Sequence, residues 1–292
     1  MKLSIWELDK DLTLTDVINN LSLDYDLQLD YLENRKDLPS EDKILKNGWH
    51  PQNGETSFSI KEITIANQKI KYVYAVGYYE KTRYRDKHIM SDTKVYIPRN
   101  VRIFNRSCNA VFFEYNGRVY TIVEVSSSDE GRVRSVLFGQ GRKEKKKEQW
   151  KNINFREVKQ FQFDSKFFYW LLSKNGSKFS LSSDPKFSIA LIDVSAVAQI
   201  TDKEEYDSTS KGTNVLSSLQ ALSGLGSNQS VYEAGFSFKL PKMDLTLRMS
   251  ENSTCFIDLD STNVVNDKME NVTAEDEFVR VSLTVYVVLL LT

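Results

Sequence analysis

Two clusters of cationic residues carry the chemistry this sequence could do. Lys81, Arg83, Arg85 and Lys87 interleave with Tyr78, Tyr79 and Tyr84. Arg132, Arg134, Arg142, Lys143, Lys145, Lys146, Lys147 and Lys151 then fall within twenty residues. Ammonium and guanidinium groups neutralise phosphates and release their counterions, and neighbouring aromatic rings can stack on bases. The chain as a whole is nearly neutral, at −1. That balance hides blocks: residues 61–159 carry 22 Lys/Arg against 11 Asp/Glu, whereas residues 1–60 carry 6 against 12. Such asymmetry speaks to partners, and here it points to a polyanion. A solvated face is the competing reading. On a helix begun near Arg142, lysines would ring the cylinder rather than line one stripe.

Other reactive groups are sparse. Glu114 and Glu124 lie on two expected paired strands, and Val123-Glu-Val125 resembles the carboxylate strand of Mg²⁺-dependent nucleases, with Ser126 where the assisting lysine would stand. His50 and His88 are far apart, with no second histidine or cysteine beside either, so no metal site or Ser-His nucleophile is expected. Gly139-Gln-Gly141 lacks the P-loop spacing and reads as a turn. Ser126-Ser-Ser-Asp-Glu130 reads as a polar loop, and Asp258 and Asp260 as the solvent side of a strand. No catalytic residue, metal or cofactor is therefore assigned. Cys108 and Cys255 stand in no redox spacing, which suits a reducing, cytoplasmic setting.

The elements that must position these residues are mostly strands. Val111–Tyr115 and Arg118–Val125 flank Asn116-Gly117, the pair best suited to a two-residue type I′ turn. Val133–Phe138 is expected as a third strand. Period-two patterns predict strands over 59–65, 69–77, 95–97 and 101–104, then over 187–193, 231–240, 245–249, 255–259 and 278–291. Thr13 or Thr15 is placed to cap a helix through Leu21, and Asp164 one through Ser173 with Phe167, Phe168, Leu171 and Leu172 as its apolar stripe. A further helix is expected over 214–222, and residues 201–212 as a polar loop. The apolar end, Val281–Thr292, is too short for a helical membrane span of roughly 20 residues and is expected as a core strand. The start shows no signal-peptide pattern.

These readings make an α+β fold of two domains, each a mainly antiparallel sheet with one or two helices: 1–180, strand-rich with a basic middle, and 181–292, acidic. Phe112-Phe-Glu-Tyr-Asn-Gly-Arg-Val-Tyr120, Val136-Leu-Phe138, and the segment from Val215 to Leu225 leading into Tyr232–Leu240 are similar to DNA-binding proteins of Rex-type phage exclusion and Kiwa-type anti-phage systems. The likeness spans roughly residues 109–260 and transfers no catalytic position. It implies a non-enzymatic, DNA-binding role in defence. The expectation is thus a homo-oligomeric protein that grips DNA or another polyanion through residues 61–159. An assembly module without nucleic acid, and a nuclease using Glu114 and Glu124, are the alternatives.

Overall fold

Asn116 and Gly117 adopt φ of +50° and +72°, and the strands on either side fold back on each other as their turn chemistry demands. The computed structural model describes residues 1–83, 97–140, 148–155, 158–180, 184–201, 204–212, 215–217, 224–226, 229–266, 268 and 270–288. Numbered in chain order, the strands are β1 (Lys2–Glu7), β2 (Leu27–Gln28), β3 (Ile44–Leu45), β4 (Asn47–His50), β5 (Lys61–Ile65), β6 (Gln68–Thr82), β7 (Ile103–Tyr115) and β8 (Arg118–Glu124). There follow β9 (Lys178–Ser180), β10 (Ser188–Thr201), β11 (Glu204–Lys211), β12 (Ser230–Leu240), β13 (Met243–Ser250), β14 (Thr254–Ile257) and β15 (Asn263–Val264).

Thirteen of the described strands form one antiparallel sheet with the order β11-β10-β12-β13-β14-β1-β8-β7-β6-β4, and β5, β9 and β15 attached at its margins. With few helices against it, the fold is α+β. β1, which the sequence patterns did not single out, joins the halves: Leu3 pairs with Glu124 on one side and with Cys255 on the other. The boundary expected near 180–185 falls between β9 and β10, which pair with each other, so the sheet does not break there.

Alternation along β7 divides the core. Ala110 and Phe112 face one layer, with Trp6, Trp49, Phe138 and Trp150; Val111 and Phe113 face the other, with Phe161, Phe236 and Tyr286. The first layer is closed by helices α1 (Leu14–Leu21) and α3 (Glu130–Val136). α1 starts in a capping box, with the Thr13 hydroxyl accepting from Asp16 N–H and the Asp16 carboxylate accepting from Thr13 N–H. Close approach there needs Gly77, where a Cβ would stand 2.6 Å from Leu137 Cδ1. The second layer holds α4 (Ser165–Ser173), capped by Asp164 accepting from Phe167 N–H at 2.7 Å, and α5 (Ala274–Leu283). A short helix α2 (Arg99–Arg102) precedes β7.

Five expectations need correction. The 133–138 segment is no strand: α3 runs to Val136 with Leu137 as its C-cap, and Val133, Val136 and Leu137, at i, i+3 and i+4, bury together. In place of the expected 278–291 strand, the described residues to Val288 form α5, capped by Thr273 with Glu275, Asp276 and Glu277 in its first turn, and a π-helical turn over Thr284–Val288. From Val281 to Val287 every residue is buried, so this stretch is an interior helix. The polar 201–212 loop contains edge strand β11, and 101–104 begins as α2. Asp258 and Asp260 lie past the end of β14, where Asp258 accepts from Asp260 N–H and Ser261 O–H. The 214–222 helix and the 95–97 strand lie largely outside the described residues, which show only a 3₁₀ turn at Val215–Ser217. No helix among the described residues is long and apolar enough to cross a membrane.

Both cysteines are buried, and burial pushes each thiol up to about 12. Neither should react with an aromatic disulfide reagent at pH 8 until the protein is unfolded. Rapid labelling of the native protein would contradict this burial.

Candidate nucleic-acid interface

β6 and β7 pair over eleven residues, and the register sets Gly77 against Cys108, Tyr79 against Arg106 and Lys81 against Phe104. Opposed residues of an antiparallel pair share a face. This row therefore runs out from the layer that α3 covers, passing from buried Cys108 to exposed Arg106 and Phe104. One further backbone bond, Arg83 N–H to Arg102 C=O at 2.9 Å, extends the pairing. Phe104 stays 37% exposed. The Arg83 guanidinium carbon stands 4.1 Å from its ring centroid and that of Arg106 5.7 Å, within cation–π range. Neither arginine forms an ion pair among the described residues.

α3 brings one member of the second cationic group, Arg132, to the same place. Its N-terminal Asp129 accepts from Lys81 Nζ at 2.9 Å, and Arg132 Nη2 donates to Glu80 C=O at 3.3 Å. Lys81, Arg83 and Arg132, three of the twelve cations singled out above, thus meet around Phe104 and Arg106. The hydrogen bond from Lys81 holds the Asp129 carboxyl below its ordinary value; burial opposes it, and the charges of Lys81 and Arg106 add to it. A depressed carboxyl stabilises the fold above its unfolded value and ceases to do so as pH falls, so acidification loosens this junction.

Two other members are used elsewhere. Arg134 pairs with Glu130, which also holds Lys2 at 2.8 Å, and lies over Phe155 (4.6 Å) and Trp6 (5.4 Å). It serves packing. Lys151 stands 3.9 Å from Asp11; a hydrogen bond from Asp11 N–H lowers Asp9 and hydrogen bonds from Thr13 lower Asp16, the Lys151 charge adding to both. Arg85, Lys87, Arg142, Lys143, Lys145, Lys146 and Lys147 lie outside the described residues, as do Tyr84 and Gly141. The described residues flanking the 142–147 run are nevertheless tied together, with Gln140 Nε2 donating to Lys151 C=O at 3.0 Å. Further cations of the basic region are spent internally: Arg99 on Glu80, and buried Arg102 on Asp42 at 2.7 Å.

Phe104 and Arg106 were not among the candidates read from the sequence. Their signal was the alternation Phe104-x-Arg106 opposite Tyr79-x-Lys81, which only the strand register reveals.

The nuclease geometry fails. Glu114 pairs with Val119, whereas Glu124 follows Val123, which pairs with Ala110. The two carboxylates are five residues apart along β8, about 17 Å at 3.3 Å per residue, and on opposite faces of the sheet. They cannot share an ion. Glu124 instead accepts from Asn109 Nδ2 at 2.6 Å, and Asn109 Oδ1 accepts from the Tyr74 hydroxyl at 2.6 Å. His50 stacks on Tyr78, with centroids 4.4 Å apart. No group of three or more potential metal ligands exists among the described residues.

A cleft of about 510 Å³ opens on the second core layer, lined by Ile63, Ile65, Phe187, Leu240 and Val264. Glu62, Asp184 and Arg280 also line it, so its charges select no one ligand sign. No protein-family model and no curated protein sequence matches this chain.

Proposed function

We propose that the protein binds DNA or a related polyanion through the face where β6, β7 and α3 meet, without catalysing a reaction on it. One observation carries this reading: Arg83 and Arg106 are exposed on Phe104, free of ion pairs among the described residues, beside Lys81 and Arg132 from the two sequence clusters. Guanidinium groups held at fixed spacing suit phosphate oxygens better than mobile lysines do. The Gln140–Lys151 bond ties the two ends of the 142–147 run, whose lysines belong to the same positive block of the sequence. The similarity to Rex- and Kiwa-type proteins supports a defence role for such binding. The acidic 181–292 part, if it acts as a unit of its own, would be the assembly surface of a homodimer.

The test is an anisotropy titration with labelled DNA over a salt series. Affinity should fall steeply between 50 and 200 mM salt, losing about tenfold for every few phosphates contacted. Arg83→Glu with Arg106→Glu should weaken binding about tenfold or more with an unchanged circular dichroism spectrum. Charge reversal at Lys145, Lys146 and Lys147 should do likewise. Asp129→Asn removes a local negative charge and releases Lys81, so it should tighten binding by about twofold or more. Absence of DNA-dependent migration, with self-association that dissolves in salt, would favour the assembly module.

A further inference from the structure

We infer that the ligand of this face is single-stranded nucleic acid, whose unpaired bases stack on the layered Phe104–Arg83 pair. This inference rests on the polyanion reading above and names its substrate class. Three observations carry it beyond charge. First, an aromatic ring stands near the end of the β6–β7 pairing with over a third of its surface in water. Folding gains little from leaving it there. Second, it is attended by two guanidinium groups, at 4.1 and 5.7 Å. Guanidinium planes and phenyl rings both offer a π-surface to a base, and arginine supplies the phosphate contact in the same step. Third, Arg106, the next residue of β7 on the face of Phe104, is exposed as well. Ring and guanidinium thus follow one another along one side of the strand, at a spacing over which a sugar–phosphate backbone could run.

A duplex shows its phosphates and groove edges but keeps its base faces stacked inside. It can use Arg83, Arg106 and Lys81 and has no use for Phe104. A single strand can use all four, and base–aromatic stacking tolerates any sequence. The ring therefore distinguishes the two ligands, while the cations do not.

The experiment compares a labelled 20-nucleotide oligo-dT, its RNA counterpart oligo-U, a 20-base-pair mixed duplex and heparin. Each is titrated with the full chain at fixed salt, for the unaltered protein, Phe104→Ala, Phe104→Trp and Arg106→Ala. Oligo-dT should bind about fivefold or more tighter than the duplex, the lower end of what one base stack contributes. Phe104→Ala should erase that advantage while leaving duplex and heparin binding within twofold, and Phe104→Trp should retain it. Arg106→Ala should weaken all ligands together. Oligo-U binding like oligo-dT would show that the unpaired base, and not the sugar, is recognised; a wide gap between them would overturn stacking as the basis of preference. Equal or tighter duplex binding, or an oligo-dT advantage that survives Phe104→Ala, would overturn the inference while leaving the polyanion reading intact. Failure of every ligand, heparin included, would overturn both. Thermal melting of each variant guards against misfolding, and Phe104→Trp keeps the test decisive should Phe104→Ala melt early.

Discussion

Asp42→Ala should destabilise the protein by about 3–5 kcal/mol, more than Arg102→Met at the other end of the same ion pair. The Arg102 side chain is wholly buried, while Asp42 keeps 21% of its side chain in solvent. One guanidinium nitrogen donates both to the Asp42 carboxylate at 2.7 Å and to Asp42 C=O at 2.8 Å. Removing the carboxylate takes a counter-charge from a buried cation. Removing the cation leaves an acid that can turn to water, and methionine fills much of the vacated volume. The double variant should accordingly recover much of the loss caused by Asp42→Ala. Urea midpoints at pH 7 measure all three, and equal losses for the two single variants would refute the asymmetry. The consequence reaches the interface. Arg99 donates to Glu41 C=O and Ile44 C=O, so two arginines of α2 clamp the turn at 40–45 immediately before Ile103 and Phe104. Loosening that clamp should weaken polyanion binding without touching a contact residue.

Trp150→Ala should cost a comparable amount, about 3–5 kcal/mol, through lost burial and the cavity left behind. Trp150 closes the basic run, yet its ring is fully buried. It stacks on Phe112 at 5.7 Å and 12°, and meets Phe138 at 5.0 Å. Its indole N–H donates to the Tyr25 hydroxyl at 2.9 Å, which donates to Asn20 C=O at 2.8 Å near the end of α1. Burial raises the Tyr25 phenol well above its usual range, so the hydroxyl remains a donor at any working pH. Trp150→Phe should keep most of the packing and lose only the hydrogen bond, about 0.5–1.5 kcal/mol. Hydrogen exchange should quicken at Val17 and Leu21 of α1 in Trp150→Ala before it does in α5. Uniform quickening would show that the indole does not act through α1.

Local rules made part of this fold legible in advance. Asn116-Gly117, the Thr13 box and the Asp164 cap each concern residues within a few positions of one another, and each formed as its chemistry requires. Segments chosen by distant partners were harder. Val133–Phe138 and Val279–Val288 are rich in β-branched residues, which suit strands in isolation. Their helical state is decided by what they bury against, although Thr273 followed by three acidic residues was a readable helix start. β1 and β11 are strands because neighbours from elsewhere in the chain complete them. For the proposed site, charge density singled out Lys81, Arg83 and Arg132 along with Arg134 and Lys151, and could not show that the last two are held by carboxylates. Nor could it show that Phe104 and Arg106 face the same way as Lys81, since pairing register is not a property of either strand alone.

The position of β1 bears on how the protein is made. Its hydrogen-bonding groups are claimed by Ile122 and its neighbours on one side and by Cys255 and its neighbours on the other. A ribosome adding about 5–20 residues per second delivers the second partner on the order of 10–50 s after Leu3. Until then the nascent strand has an open edge, exposed to aggregation or to whatever chaperone shields it. Refolding in the test tube, with every segment present from the start, should therefore be slow but cleaner than biosynthesis.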